Sequence, residues 1–248
     1  MTRLLDRVRR QSLAWLVFFV IVVDLIGFGI VIPILPFLSP QLGGGTDDIA
    51  FILATYSVAA AIVAPIWGRL SDRFGRRPIL SFCLLGGAVS HFLLAFADVL
   101  WMVYLSRAVA GMMAGGVPVA TALIADASTP NQRSRAMGLI GRAFGIGLIL
   151  GPVLGGLLAR SESDFALPCL VAGGLSALAG VMALALLPTG IIKPAGDESE
   201  GHQAAAPTMG KTLRRSGRLL FVCQFAFHTC AVSAAVYLFP LWVADGLA

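Results

Sequence analysis

Seven apolar runs, separated by short polar connections, make up most of this chain of 248 residues. Each run has about the 20 residues that an α-helix needs to cross a bilayer. Lipid offers no partner to backbone N–H and C=O groups, so every span must be helical. The pattern predicts an all-α, polytopic membrane protein with spans at residues 13–36, 49–67, 78–97, 99–124, 136–159, 165–187 and 219–244.

The composition agrees with a membrane protein. Apolar residues make up 58% of the chain and charged residues 12%, against about a quarter charged in a soluble domain. The net charge of +5 does not indicate nucleic acid, because the basic residues alternate with the spans instead of forming one patch. No zinc, nucleophile-elbow or phosphate-loop motif is present in the sequence, so we expect no enzyme, no cofactor and no metal site.

The basic residues mark one side of the membrane. Fifteen of the 18 lysines and arginines fall in the N-terminus or in every second loop, whereas the alternate loops hold acidic residues with only Arg160 against them. By the positive-inside rule, the arginine-rich side is cytoplasmic. We expect a multi-pass protein of the inner (plasma) membrane, with a cytoplasmic N-terminus and a first span that is not cleaved as a signal peptide.

The linker at 189–218 divides the chain into three parts. It is rich in Gly, Pro, Ala and charge and has no apolar period, which is typical of a loose cytoplasmic connection. We expect a six-helix bundle at 1–188 and a seventh span within 219–248. A chain that re-enters the membrane and then ends suggests an incomplete C-terminal bundle, whose missing helices would be needed for function.

Asp24 is the first candidate for chemistry, because it lies about 11 residues into span 1, roughly 16 Å deep at 1.5 Å per residue. A carboxylate at such depth costs several kcal/mol unless it is paired, hydrated or protonated. Arg107, in span 4, lies at a similar depth, so the two are candidates for an internal pair that a proton would weaken. A permanent salt bridge without proton coupling is the alternative.

Small residues and prolines surround these two charges. Small side chains at every fourth position let helix backbones approach closely, and proline allows a helix to bend. The candidate packing and bending positions are Gly27, Gly29 and Pro33 in span 1, Gly111 and Gly115 in span 4, and Gly147, Gly151, Pro152, Gly155 and Gly156 in span 5.

Four motifs together resemble the major facilitator superfamily, specifically its twelve-helix drug–proton antiporters and their tetracycline-efflux branch. DLIGFGIVIPILP at 24–36 is similar to the first-helix motif, and GRLSDRFGRRP at 68–78 to the loop between helices 2 and 3. RAVAGMMAGG at 107–116 is similar to the fourth-helix motif with its proton-linked arginine, and GLILGPVLGG at 147–156 to the antiporter motif of helix 5.

The resemblance implies a conformational lock on the cytoplasmic side. Asp72 and Arg76 correspond to the loop pair that joins a carboxylate at the end of helix 4, here Asp126, and Asp72 would also face the N-terminus of an eleventh helix. Gly68 and Gly75 would allow the tight chain reversal. The loop also holds two arginines that can contact anionic lipid or only set the topology. They are Arg73 and Arg77.

The chain departs from the tetracycline branch at two places. Ser90 and His91 stand where related pumps carry an acidic residue in helix 3, and Arg142 stands where they have a small residue. We treat these three residues, with His228 in span 7, as candidate substrate-cavity residues. His91 and His228 can equally be packing residues.

Several functions remain open at this level. The first is proton-coupled efflux of a small drug-like molecule or metabolite by alternating access, with protons, the substrate and the lipid bilayer as partners. A second is a truncated, transport-inactive fragment of such a transporter. An exporter of a sugar or other polar metabolite, and a homodimer that replaces the missing half, are further alternatives.

Overall fold

The computed structural model describes residues 2–128, 130–159 and 165–187, which form helices joined by short turns, with no β-strand in that part. The helices are α1 (Thr2–Val31), a 3₁₀ turn (Ile32–Ile34), α2 (Leu35–Gln41), α3 (Thr46–Phe74), α4 (Arg76–Ala95), α5 (Leu100–Met112), α6 (Gly116–Ala127), α7 (Pro130–Leu158) and α8 (Ala166–Leu186). The all-α prediction is confirmed for these residues.

Six helical segments are long and apolar enough to cross a membrane. They are Ser12–Gln41, Asp47–Phe74, Arg76–Ala95, Leu100–Ala127, Arg133–Leu158 and Ala166–Leu186. They match the first six predicted spans in order. The predicted linker 189–218, the seventh span and His228 lie outside the described residues, so these remain predictions.

Span 1 changes its helix type in the outer half. α1 ends at Val31, the short 3₁₀ turn contains Pro33, and α2 continues to Gln41. Proline has no N–H to donate and its ring crowds the preceding turn, which interrupts an α-helix. The interruption lies where the sequence predicts that the span bends.

The second span extends beyond its predicted end at residue 67, because α3 continues through the charged motif to Phe74. The chain reverses at Gly75, whose φ of 98° favours glycine, before α4 begins at Arg76. Gly68 lies inside α3, where a methyl group in place of its hydrogen would meet nothing within 4 Å. The predicted part of Gly68 in the reversal is therefore wrong, and Gly75 makes the turn.

The fourth span is broken near the middle of the membrane. α5 ends at Met112 and α6 begins at Gly116. Pro118 has no N–H for the residue four positions earlier, which favours a break at this point. The indole Nε1 of Trp67, on α3, donates a hydrogen bond of 2.7 Å to the carbonyl of Met112, so that the end of α5 has a partner.

Helix α1 is the centre of the packing and contacts α7 and α8 most extensively. At the crossing with α7 only glycine fits: a methyl group on Gly29 would lie 2.6 Å from the carbonyl oxygen of Gly147, and one on Gly151 would lie 2.5 Å from the Cα of Gly29. Gly155 continues this contact against Ile30, whereas Gly156 lies on the open side of α7.

Two spans are less enclosed than the others. The most apolar windows of α3 and α7 are 28% buried within the bundle, against 39% to 50% for the other four spans. The outer faces of α3 and α7 therefore meet lipid or further protein.

Candidate functional site: a polar cluster inside the bundle

Asp24 lies on α1 and is half-buried. The hydroxyl of Ser176, on α8, donates a hydrogen bond of 2.9 Å to its Oδ1 atom. Ser176 is fully buried and is the sole side chain in α8 that carries a hydroxyl group. A carboxylate in an apolar span thus has a neutral donor from another helix, which lowers the cost of holding it there.

His91, on α4, extends this contact. Its Nδ1 atom lies 3.5 Å from the Ser176 hydroxyl oxygen, and 4% of the residue is exposed. Three helices therefore contribute one polar side chain each to a continuous row from His91 through Ser176 to Asp24. We call these three residues the interior cluster.

The break in span 4 faces the other carboxylate oxygen of Asp24. A methyl group on Gly116, the first residue of α6, would lie 3.9 Å from Asp24 Oδ2. The N-terminal end of a helix carries partial positive charge and favours a nearby anion. Asp24 therefore lies between a hydroxyl donor and the positive end of a half-helix.

Arg107 lies on α5 and is buried, with 3% of the residue exposed. Its Nε atom donates to the hydroxyl of Ser106 at 3.4 Å. The charge of Arg107 acts on Tyr56, which the charge of Asp24 also reaches, and on His91. Both predicted coupling residues are therefore near enough to Tyr56 for their charges to act on it, and their direct pairing stays a prediction.

Gly27 makes room for the interior cluster. A methyl group at this position would lie 2.9 Å from the carbonyl oxygen of Ala172 and 3.2 Å from the hydroxyl of Ser176. Because Gly27 follows Asp24 by three residues, both lie on one face of α1. The glycine thus allows α8 to approach closely enough for Ser176 to reach the carboxylate.

Gly111 and Gly115 have a similar packing role in span 4. Gly111 lies against Ala59 of α3, and Gly115 lies against the ring of Trp67 and the sulfur of Cys83. Glycine at both places lets α5 and the break that follows it sit close to α3 and α4.

A second polar cluster lies at the predicted cytoplasmic end of the bundle. Arg76 forms salt bridges with Asp72 at 2.6 Å and with Asp126, at the end of α6, at 3.0 Å. It also donates to the hydroxyl of Ser71 at 2.6 Å, and that hydroxyl donates to the carbonyl of Gly68 at 2.8 Å. We call Asp72, Arg76 and Asp126 the rim cluster.

The other two arginines of the motif lie beside this cluster. Arg77 donates to the carbonyl of Leu184 in the last turn of α8, which joins α4 to the end of the sixth span. The guanidinium of Arg73 lies 5.5 Å from the ring centre of Phe74. Both residues therefore contact protein in addition to any lipid.

The candidate cavity residues differ in their exposure. Ser90 is fully buried, and its hydroxyl donates to the carbonyl of Gly87 in its own helix at 2.7 Å. His91 belongs to the interior cluster. These two residues are packed inside the bundle, and their part in a substrate cavity stays a prediction. Arg142, on α7, is exposed.

Sequence reasoning missed Ser176, Tyr56 and Trp67. A signal existed for Ser176, since it is a single hydroxyl within a 21-residue apolar helix. Tyr56 and Trp67 lie in an apolar run in which an aromatic residue is ordinary. Only the packing of α3 against neighbouring helices brings Trp67 to the Met112 carbonyl and Tyr56 within reach of the charges of Asp24 and Arg107.

Known proteins resemble this chain in sequence and in structure. A class H tetracycline resistance protein of Pasteurella multocida is 40% identical over 146 residues, 58% of this chain and 36% of that protein. The quinolone resistance protein NorA of Staphylococcus aureus is 31% identical over 232 residues, 93% of this chain and 58% of that protein. The human organic anion transporter MFSD10 has a crystal structure with a TM-score of 0.65 and 27% identity, which covers 72% of this chain and 48% of that one.

The matched part of the chain spans 36% of the tetracycline resistance protein and 58% of NorA, less than two thirds of either. The sequence pattern of the Major Facilitator Superfamily nevertheless matches this chain over residues 17–248. Members of this superfamily are transporters, so the match also confirms the prediction that the chain is not an enzyme. With nearly the whole sequence matched and six membrane-length helices in its described part, the chain belongs to the Major Facilitator Superfamily.

Proposed function

We propose that this chain provides the proton-coupling bundle of an antiporter that exports a small drug-like molecule by alternating access. The observation that carries the proposal is Asp24, an acid in the middle of a membrane span, bonded to Ser176 of another helix. Ionisable groups inside membrane spans mark proton and substrate pathways.

The carboxylate can carry a proton because its surroundings accept both forms. The Ser176 hydroxyl and the positive end of α6 stabilise the anion. A proton on Asp24 would remove its charge and weaken its attraction to that helix end and to Arg107. An equilibrium between two arrangements of the helices could then respond to a proton gradient.

The relatives support a proposal for the substrate class. Resistance proteins for tetracycline and for quinolones are similar to this chain, and both names refer to small drug molecules. We infer a substrate of this class without choosing between the two.

A polar or anionic metabolite is the second candidate. Arg142 presents an exposed cation on α7, one of the two less enclosed spans, and the human structural neighbour is an organic anion transporter. A negatively charged substrate would be attracted by this side chain.

The rim cluster is proposed to be the cytoplasmic lock. Arg76 joins Asp72, beside the chain reversal, to Asp126 at the end of α6. The positive-inside pattern supports a cytoplasmic location for this end, and an inner-membrane protein with its N-terminus in the cytoplasm. Opening towards the cytoplasm would require these salt bridges to rearrange.

Transport driven by a pH gradient tests the proposal. The protein is expressed in cells, and uptake of tetracycline and of a quinolone is measured in everted membrane vesicles prepared from them. Asp24→Asn should lower gradient-driven uptake at least about 100-fold, the scale of a lost proton-transfer group, and leave exchange of substrate for substrate intact.

Asp47→Asn is the matched control, since Asp47 is an exposed acid in the first turn of α3. It should transport as the wild type does. Gradient-driven uptake that survives Asp24→Asn would refute the proton-coupling role. Uptake of an organic anion but of neither drug would favour the second candidate.

A further inference from the structure

The hydrogen bonds of the interior cluster run in one order, from His91 through Ser176 to Asp24. The proton-carrier role of Asp24 alone does not explain this order. We propose that Ser176 and His91 are positioning residues that hold Oδ1 of Asp24 as a hydrogen-bond acceptor, so that Oδ2 is the oxygen that gains and loses the proton. The inference rests on the proposed function of Asp24.

The donors can be assigned from the network. A serine hydroxyl has one hydrogen, and a carboxylate only accepts while it is ionised; in that form of Asp24 the 2.9 Å contact uses the Ser176 hydrogen for Oδ1. Nδ1 of His91 lies 3.5 Å from the same oxygen, and we assign it as the donor of a long hydrogen bond to Ser176, whose own hydrogen is already used. The cluster therefore requires the neutral imidazole that carries its hydrogen on Nδ1.

This order of donors makes the two carboxylate oxygens unequal. Oδ1 is turned towards Ser176 of α8, which is fully buried and also faces His91 of α4. Oδ2 is turned towards Gly116 and the break in span 4. A proton from water adds to Oδ2 to form an O–H bond, and that bond breaks when the proton returns to water on the other side. The bond from Ser176 to Oδ1 persists through both steps.

Few other titratable groups reach this site. The described helices around α1 contribute Tyr56 from α3, Cys83 and His91 from α4, and Arg107 from α5. Of these, only His91 is in hydrogen-bond range of Ser176. Ser176 also packs closely against α1, because a methyl group on Gly27 would lie 3.2 Å from its hydroxyl oxygen.

Infrared difference spectroscopy of the full chain in lipid vesicles tests the inference, with protons as the probe in a pH jump. The wild type minus Asp24→Asn spectrum isolates the C=O band of protonated Asp24. Ser176→Ala should move this band to higher wavenumber, because the carbonyl at Oδ1 loses its donor. Ser57→Ala is the matched control, since Ser57 is a buried serine whose hydroxyl bonds the Leu53 carbonyl of its own helix.

Two substitutions of His91 separate its nitrogens. His91→Asn places an amide N–H close to the position of Nδ1 and should retain the wild-type band. His91→Gln places its amide near Nε2, so Ser176 loses its donor and the band should move in the same direction as in Ser176→Ala, but by less. A packing role for His91 would not distinguish these two variants in this way.

Transport links the spectrum to coupling. Ser176→Ala should lower gradient-driven uptake of tetracycline or of a quinolone about tenfold, the scale of one hydrogen bond to a charged group, and Ser57→Ala should not. An unchanged Asp24 band in Ser176→Ala overturns the inference, and so does a moved band with wild-type coupling. If Asp24→Asn itself leaves coupling intact, the proposed function fails first and the inference falls with it.

Discussion

The interior cluster and the rim cluster hold carboxylates in opposite ways. At the rim, Arg76 meets Asp72 and Asp126 as charge against charge, with side chains that are 21%, 63% and 32% exposed. Inside the bundle, Asp24 meets the neutral hydroxyl of Ser176, which is fully buried. Water solvates the ions of the rim, whereas the charge of Asp24 depends on the Ser176 hydroxyl, on a helix end and on the buried guanidinium of Arg107.

This difference bears on how each cluster responds to change. A half-exposed salt bridge contributes about 0–1 kcal/mol and is screened by salt, so it breaks and re-forms at little cost. A hydrogen bond in an apolar interior is stronger, and an unsatisfied group there is expensive. The rim is therefore suited to a contact that opens in each cycle, and the interior to one that stays formed.

The largest effect is expected where α1 meets α7, beside the interior cluster. Gly151→Leu would force a side chain into the backbone of Gly29, so it should destabilise the fold by about 3 kcal/mol or more. Gly156→Leu, on the open side of the same helix, should be near neutral. Chemical unfolding in detergent measures both, and equal losses would contradict the close backbone contact.

Gly27→Ala and Gly68→Ala compare a tightly packed glycine beside the interior cluster with an open one near the rim cluster. The added methyl on Gly27 would press on Ser176 and on the Ala172 carbonyl, for a loss of about 1–3 kcal/mol. On Gly68 it would meet open space inside α3, and alanine should stabilise the helix by up to about 1 kcal/mol.

Thermal unfolding of these two variants should shift in opposite directions. A stabilised Gly27→Ala variant would show that α1 and α8 are not in close contact at this point.

Asp126→Asn probes the salt bridge of the rim. Loss of this partly exposed partner of Arg76 should lower the free energy of unfolding by about 1 kcal/mol or less. The loss should shrink as salt is added, because the Debye length falls to about 3 Å at 1 M. A double-mutant cycle with Arg76→Gln measures the pair, and a coupling that does not change with salt would place Asp126 out of solvent.

Asp72→Asn should have the smallest effect on stability. The Asp72 side chain is 63% exposed, so its contact with Arg76 is weak in spite of the short distance. We expect an unfolding free energy within about 0.5 kcal/mol of the wild type. A larger loss would show that Asp72 has a further partner.

The membrane spans could be predicted well from hydropathy, because lipid demands an apolar run of fixed length. The ends of the helices could not. α3 continues through Arg69, Asp72 and Arg73 to Phe74, since a helix that leaves the hydrocarbon layer needs no apolar residues to persist. Hydropathy indicates only the part of a helix that lies in the hydrocarbon layer. The end of α3 depends instead on the chain reversal at Gly75.

The interior cluster could be predicted only in part. Asp24 and Arg107 are charged residues within apolar spans, so the sequence alone indicates them as candidates. Ser176 is 152 positions from Asp24, and their contact depends on how α1 and α8 are rotated and spaced. Spacing along one helix contains no such information, so the partner of Asp24 became visible only in the packed bundle.

The bond from Trp67 to the carbonyl of Met112 has a mechanical consequence. It fastens α3 to the end of α5, where the fourth span would otherwise be free to hinge. We therefore expect a displacement of the Asp72 end of α3 to pull on the end of α5, next to the half-helix that begins beside Asp24.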